Sequence, residues 1–395
     1  MSEVRTDGKG FVCDVAEHSD VRIGGDGVSF RPDALIRRWG DEAYLNWSFP
    51  TSRNVTPTFD GSKVVWSDSV ANQEIRMYLE PPSAKRELGA FEYEIFLGAL
   101  PALPTIPFTV ESRGLNFYYQ PATGRRSPLS GRLLDSAEII HSYAAYHASK
   151  TQWHGSAAEA DKYKTGKAFH MFRPVATDAD GLKYALDYTV DRNGVPNGVD
   201  ITALASARFP VVVDPTFGYT SVGGSTDCGG LSFEIYYQIN GLSPSGSNTD
   251  MQHFVGIVNT ICGAGATTVQ FALFSEGTDL PNARLVVDPT TTSAANANAM
   301  VGGAAVSYAL SASTQYWIGY IATAGGGVSI SWDASTGTRK IVYTSNGGVF
   351  PTSVTGTSEL VDNVQPSAYV YYEPAGGGLA MKIAMDHYKK MQAHS

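Results

Sequence analysis

The stretch ARFPVVVDPTFGYTSVGGSTDCGG, residues 207–230, marks a change in the pattern of the chain. An apolar run from Pro210 to Val213 stops at Asp214-Pro215, passes through Phe217-Gly218-Tyr219 and gives way to glycine, serine and threonine. A short β-branched run bounded by turn residues predicts a strand. A Gly/Ser/Thr stretch without apolar periodicity predicts a linker. The stretch therefore reads as the last strand of one module followed by the joint into the next.

Working outward from it, apolar alternation at period two recurs in both directions and is broken by turn clusters every eight to twelve residues or so, the pattern of an all-β chain. Upstream lie SKVVWSDSV, QEIRMYLE, AFEYEIFLG, LNFYYQP, EIIHSYAAYHAS and KAFHMFRPVATDADGLKYALDYTVD. In AFEYEIFL, Phe91, Tyr93, Ile95 and Leu97 share one face and Glu92 and Glu94 the other, as expected of an antiparallel strand with one wet side. TDADGLK has the Asp/Gly chemistry of a tight turn between strands. HSYAAYHASKTQWHGS reads as a strand followed by an aromatic-rich loop. Downstream, charges thin out and the strands LSFEIYYQING, MQHFVGIVNTI, TTVQFALFSEG, ARLVVDP, AAVSYALSASTQYWIGYIAT, GVSISWDAS, RKIVYTS and SAYVYYEP alternate with Gly/Ser/Thr/Asn turns.

The expected layout has five parts: residues 1–54, an irregular arm or added strands with a short helical turn at Ala34 to Trp39; 55–219, a first β-sandwich module; 220–230, a linker; 231–374, a second, jelly-roll-like β-sandwich; and 375–395, a glycine linker and a helix. That last segment, LAMKIAMDHYKKMQAHS, spaces Ile383, Ala384, Tyr388 and Met391 as one apolar stripe of an amphipathic helix, suited to packing on its own domain or docking on a partner.

Bulk properties narrow the partners. The 395 residues exceed one ordinary core and predict two or three units. Lys+Arg number 29 against 38 Asp+Glu, a net charge of −9, which argues against a nucleic-acid partner because phosphate neutralisation needs clustered cations. No window approaches a membrane span, and the first twenty residues carry no apolar core of a secretory signal. The expectation is a protein assembled in the cytoplasm. Cys13, Cys228 and Cys262 have neither disulfide-framework nor metal spacing, and reduced thiols are expected.

Three constellations carry potential chemistry. Glu92 and Glu94 sit about 7 Å apart by strand rise, within the range of an inverting glycosidase pair, although acids two apart on a wet strand face are commonplace. His141, His147, His154 and His170 are the histidine concentration, but their spacings match no local metal motif. Trp317, Tyr320, Trp332 and Tyr343 are the candidates for stacking on a sugar; the competing reading puts Trp317 and its neighbours in the core. No nucleophile elbow, P-loop or dinucleotide fingerprint occurs, and no cofactor is expected.

Residues from about 55 to 217 resemble a module of large wall-associated and Rhs-type bacterial surface proteins, in which a strand of the form Y-P-V-T-hydrophobic-D-P-T closes the fold; here Phe209 to Thr216 supplies it. The second half resembles a jelly-roll-like module of bacterial surface and phage structural proteins through Val269–Ser275 and Tyr316-Trp317-Ile318-Gly319. The combination in an unsecreted chain looks most like a virion protein of a tailed bacteriophage. That resemblance implies a non-enzymatic decoration, fibre or baseplate-type subunit that partners other virion proteins and copies of itself. The alternatives are a receptor- or glycan-binding tail module and a tail glycan hydrolase.

Overall fold

The structure, a computed structural model, describes residues 5–6, 11–16, 19–24, 32–49, 57–60, 63–69, 72–81, 89–122, 139–151, 153–214, 216–218, 225–226, 234–242, 249–259, 268–278, 280–289, 292–293, 299–302, 306–324, 329–343, 349–354 and 360–374. It is all-β, built from antiparallel sheets. Among the described residues one α-helix, Ala157–Tyr163, and one short 3-10 turn, Thr202–Ser206, interrupt the strands. The segment 375–395, with Ile383, Ala384, Tyr388 and Met391, lies outside the described residues, as do Cys228 and Cys262.

The chain divides into two compact units, with one boundary between Gly224 and Ser225, inside the expected linker. Elsewhere the division departs from the linear layout. Lys150–Thr165 packs with the second unit, although Asp135–Ser149 and Gly166–Gly224 on either side of it belong to the first. Among the described residues before 55, the strands Arg5–Thr6, Phe11–Ala16, Ser19–Ile23, Asp33–Arg38 and Ala43–Ser48 belong to a sheet of the first unit. Asp33–Arg38 is a strand and not a helical turn, because Ala34 and Ile36 alternate with Asp33, Leu35 and Arg37 at period two and pair antiparallel with Ala43–Ser48.

In the first unit a six-stranded sheet runs in the order Arg5–Thr6, Phe11–Ala16, Ser19–Ile23, Asp33–Arg38, Ala43–Ser48, Thr109–Arg113. The second, larger sheet is centred on Ala90–Leu97. Gln73–Glu80 pairs with the full length of this strand on one side. On the other side the opening stretch of sequence pairs twice: Val211 lies opposite Leu97 and Val213 opposite Ile95, while Thr216 lies opposite Glu92 and Gly218 opposite Ala90. Residues 211–218 are thus an interior element of this sheet, with Val175–Thr177 and Lys167–Met171 as further neighbours. The two sheets meet in an aromatic core. The Trp47 ring, from the smaller sheet, lies 3.9 Å from that of Tyr93, from the larger one, with Phe49 at 4.3 Å and Phe108 at 5.5 Å from Trp47. Trp47 and Tyr93 are fully buried. Such ring pairs add about 0.5–1.5 kcal/mol each to the burial itself.

Two hairpins of the first unit share one turn design, D-x-[D/N]-G-apolar. At Asp178 the carboxylate Oδ1 accepts the Asp180 and Leu182 amides, both at 2.9 Å, and Gly181 takes φ +80°. Asp191 repeats this with Asn193 at 2.8 Å, Val195 at 2.9 Å and Gly194 at φ +77°. The second oxygen of Asp178 accepts the Arg208 amide and the Tyr184 hydroxyl, which ties the turn to the segment entering the Val211–Asp214 strand. Partial desolvation opposes ionisation of Asp178, but these donors outweigh it and hold the carboxyl below the usual aspartate range.

The second unit centres on Gln315–Ala324, flanked by Thr268–Glu276 and Glu234–Leu242. The 15-residue strand Ser329–Tyr343 pairs with Glu234–Leu242 and, at its start, with Thr249–Asn259, so it links these two strands. One core cluster joins Phe271, Leu273, Ile318 and Tyr320 to Leu310 and Val370. A second, on the other side of the same strands, holds Ala272, Phe274, Trp317, Ile321 and Phe350. VQFALF and YWIGYI are buried on both faces, which is why they read as continuous apolar runs.

Candidate functional site

The carboxylate pair of Ala90–Leu97 sits in a polar cluster of the first unit that spans three strands. Register places Tyr78 opposite Glu92 and Arg76 opposite Glu94, and Lys63 comes from the next strand, Lys63–Asp68. Glu94 Oε1 accepts Lys63 Nζ at 3.0 Å and the Tyr78 hydroxyl at 2.8 Å, and its Oε2 accepts Arg76 Nη1 at 3.3 Å. Arg76 also pairs with Glu74 and lies over the Phe96 ring, while Lys63 lies 4.0 Å from the Tyr78 ring centroid. The expected wet face is therefore largely covered: Glu92 is buried and the Glu94 side chain is only 15% exposed.

The electrostatics follow from these contacts. Burial of Glu94 disfavours its charge, but the Lys63 and Tyr78 hydrogen bonds and the neighbouring cations outweigh it, so the carboxyl is held below the usual glutamate range. Burial first, and then the Glu92 and Glu94 carboxylates, push the Tyr78 phenol far above its ordinary value. An ionised acid with both oxygens occupied, beside a phenol that keeps its proton, is a clasp across three strands. Glycoside hydrolysis pairs an ionised carboxylate with a second carboxyl whose pKa is raised so that it can donate, and Glu94, held low and hydrogen-bonded on both oxygens, is not that donor.

The four histidines do not form one site. His154 belongs to the second unit and the other three to the first. Among the described residues no group of three or more His, Cys, Asp or Glu side chains is placed to hold a metal ion. His141 meets the Tyr119 hydroxyl at 2.6 Å, and His147 Nδ1 accepts the Ser149 amide at 3.1 Å. Ser142 Oγ lies 2.6 Å from His170 Nε2, both fully buried, a distance that invites comparison with a nucleophile and its base. The Ser142 hydroxyl also reaches the Ile139 carbonyl at 2.5 Å, and both side chains are sealed from solvent, as in a structural contact.

The stacking candidates fall in the core. Trp317, Tyr320 and Trp332 are 0%, 2% and 3% exposed, and a ring with no accessible face cannot stack on a sugar. Trp317 is held there by the apolar neighbours on both sides of its strand and by a hydrogen bond from Nε1 to Glu276. The side chain of Tyr343 lies outside the described residues. The partly exposed rings are others: Trp153 and Tyr372, 6.4 Å apart, and Tyr308, all packed on the cluster around Tyr316.

The sequence reading missed the element that carries Trp153. Trp153–His154 forms a parallel bridge with Val370–Tyr371, and the helix Ala157–Tyr163 follows at once. Its signal was present as Ser156-x-x-Glu159. Ser156 caps the Glu159 amide at 3.1 Å, and the Glu159 carboxylate turns back to the Gly155 amide at 2.6 Å and to Lys150 Nζ at 2.9 Å. His154 is sandwiched below, stacked on Tyr163 at 6.0 Å and edge-on to Tyr369 at 5.2 Å. Its Nε2 donates to the Lys164 carbonyl at 2.5 Å, and its buried Nδ1 has no hydrogen-bond partner among the described residues.

No family model matches the chain, and no curated protein matches it in sequence.

Proposed function

We propose that the chain is a non-catalytic structural subunit of a tailed-bacteriophage particle, of decoration, fibre or baseplate type. It is assembled in the host cytoplasm and acts by burying β-surface against other virion proteins and against copies of itself. The Glu94 clasp carries the non-catalytic half of this reading: one member of the carboxylate pair best spaced for hydrolysis is held ionised, hydrogen-bonded on both oxygens and committed to joining three strands. The virion half rests on the resemblance of Phe209 to Thr216 and of the second-half strands to modules of surface and phage proteins. The jelly-roll description of that half belongs to the same proposal. Mass spectrometry of purified particles tests it, with the chain expected at a fixed copy number per particle; its absence from particles overturns the reading.

A second reading, glycan binding, is favoured by Trp153 and Tyr372, which are partly exposed and lie beside the Lys150–Glu159 pair. A glycan array separates the two: retention of a sugar by the wild type and its loss in Trp153→Ala would favour the binding module.

A further inference from the structure

We propose that the strand Thr109–Arg113 is a self-recognition edge, at which a second copy of this chain adds antiparallel across a two-fold axis at Ser112. The inference deepens the assembly reading by naming one of its partners. Its test uses the purified chain, so a failure here is distinct from absence of the protein from particles.

The strand is the last of the six-stranded sheet. On one side it pairs with Ala43–Ser48, Thr109 opposite Ser48 through Arg113 opposite Tyr44; among the described residues no strand pairs with its other side, although Pro196–Asp200, which pairs with Thr105–Pro107 and accepts the Phe108 amide through the Asn197 carbonyl at 3.0 Å, lies close to its start. Thr109, Glu111, Ser112 and Arg113 are exposed and Val110 partly so. An edge of this kind presents a row of backbone donors and acceptors that a further strand can use. Natural edges are guarded by prolines, bulges or inward-pointing charges. Here the charges alternate with the inner-facing Val110 and Ser112: Glu111 and Arg113 stand on the outer face with Asn46 and Tyr44, where they leave the edge open.

Their signs select the partner and its direction. In an antiparallel pair centred on Ser112, Glu111 lies opposite the partner's Arg113, and the reverse, giving two opposite-charge pairs across the axis. Parallel in-register stacking sets Glu111 beside the partner's Glu111, which is unfavourable. The pattern therefore favours a closed two-fold dimer over an open-ended array. Arg113 stays on this outer face, where Nη2 donates to the Asp41 carbonyl and the guanidinium lies 5.0 Å over the Tyr44 ring. The paired edge ends at Gly114, which takes φ +69° and where a Cβ would collide with the Glu42 carbonyl oxygen; beyond it Leu115–Gln120 joins the other sheet.

Sedimentation velocity on the full chain over a concentration series tests this. The wild type is expected to dimerise as concentration rises. Glu111→Arg and Arg113→Glu should each raise the dissociation constant about tenfold, because two attractive cross-strand pairs become repulsive. An equimolar mixture of these two variants should associate again, because each supplies the charge the other now lacks. Ser112→Asp, at an exposed position, should abolish dimerisation independently of Arg113 by setting two like charges on the axis. A wild type that stays monomeric, a dimer insensitive to Ser112→Asp and Glu111→Arg, or a mixture of folded variants that fails to reassociate would overturn the proposal.

Discussion

At the scale of single residues, Glu94 and His154 show opposite ways of handling a buried charge. Glu94 is kept ionised by three donors, and His154 is kept neutral, because burial lowers its affinity for a proton more than the Lys164 carbonyl and the Glu159 carboxylate raise it. Glu94→Gln should therefore destabilise the first unit by about 1–2 kcal/mol, a figure discounted for the partial exposure of Lys63 and Arg76. Denaturant unfolding of the variant checks this, and any particle-associated glycan cleavage should be unchanged. Loss of cleavage on this substitution or on Glu92→Gln would reinstate the hydrolase reading. The pH signs are separable. A carboxyl whose folded pKa is depressed contributes stability above its unfolded value, about 4.3, and loses it as pH falls through the folded one. His154, also depressed, leaves the folded second unit binding fewer protons than its unfolded state below about pH 6.5, so its stability declines as pH falls from there.

At the scale of elements, this places the acid-sensitive point of the second unit in Lys150–Thr165. The groups facing His154 are Tyr163 and the Lys164 carbonyl from the helix and its end, Tyr369 from the paired strand, and Glu159 and Lys150 beside them. A seven-residue helix is too short to persist alone and depends on this packing and on its cap. Ser156→Ala should cost about 1 kcal/mol. Protection of amides spanning 150–165, with exchange corrected for its intrinsic pH dependence, is expected to fall below about pH 6 in the wild type and further in Ser156→Ala, whereas in His154→Gln it should lose this pH dependence. Protection equally high at pH 5 and pH 8 in the wild type would contradict the neutral, buried imidazole.

At the scale of the whole molecule, two units share one chain in an order that is not linear. The Gly/Ser/Thr run after Tyr219 remains the expected cutting site for a protease, since it lacks apolar periodicity. A single cut between Ser221 and Gly230 should not release two halves. The amino-terminal fragment contributes Trp153–His154 and the helix Ala157–Tyr163 to the second unit, so the fragments are expected to co-elute under native conditions and part in denaturant. Separation in native buffer would show that the 150–165 packing is too weak to hold them.

The sequence by itself determined the strands, through the period-two alternation of segments such as Gln73–Glu80 and Ala90–Leu97. It also determined the turns, through D-x-[D/N]-G chemistry whose hydrogen bonds close within five residues. These are local effects, written in neighbouring residues. Only the tertiary structure decided which surfaces are covered and by what. Glu92 looks solvent-facing until neighbouring strands bury it, Trp317 looks available until Phe274 and Phe350 close over it, and Trp153–His154 leaves its own stretch of chain to pair with Val370–Tyr371. Residues 207–230 divide in the same way. Their apolar run announces a strand, but its place beside Ala90–Leu97 depends on partners far away along the chain, and partner choice in a sheet is a property of the assembled packing that no short window of residues contains.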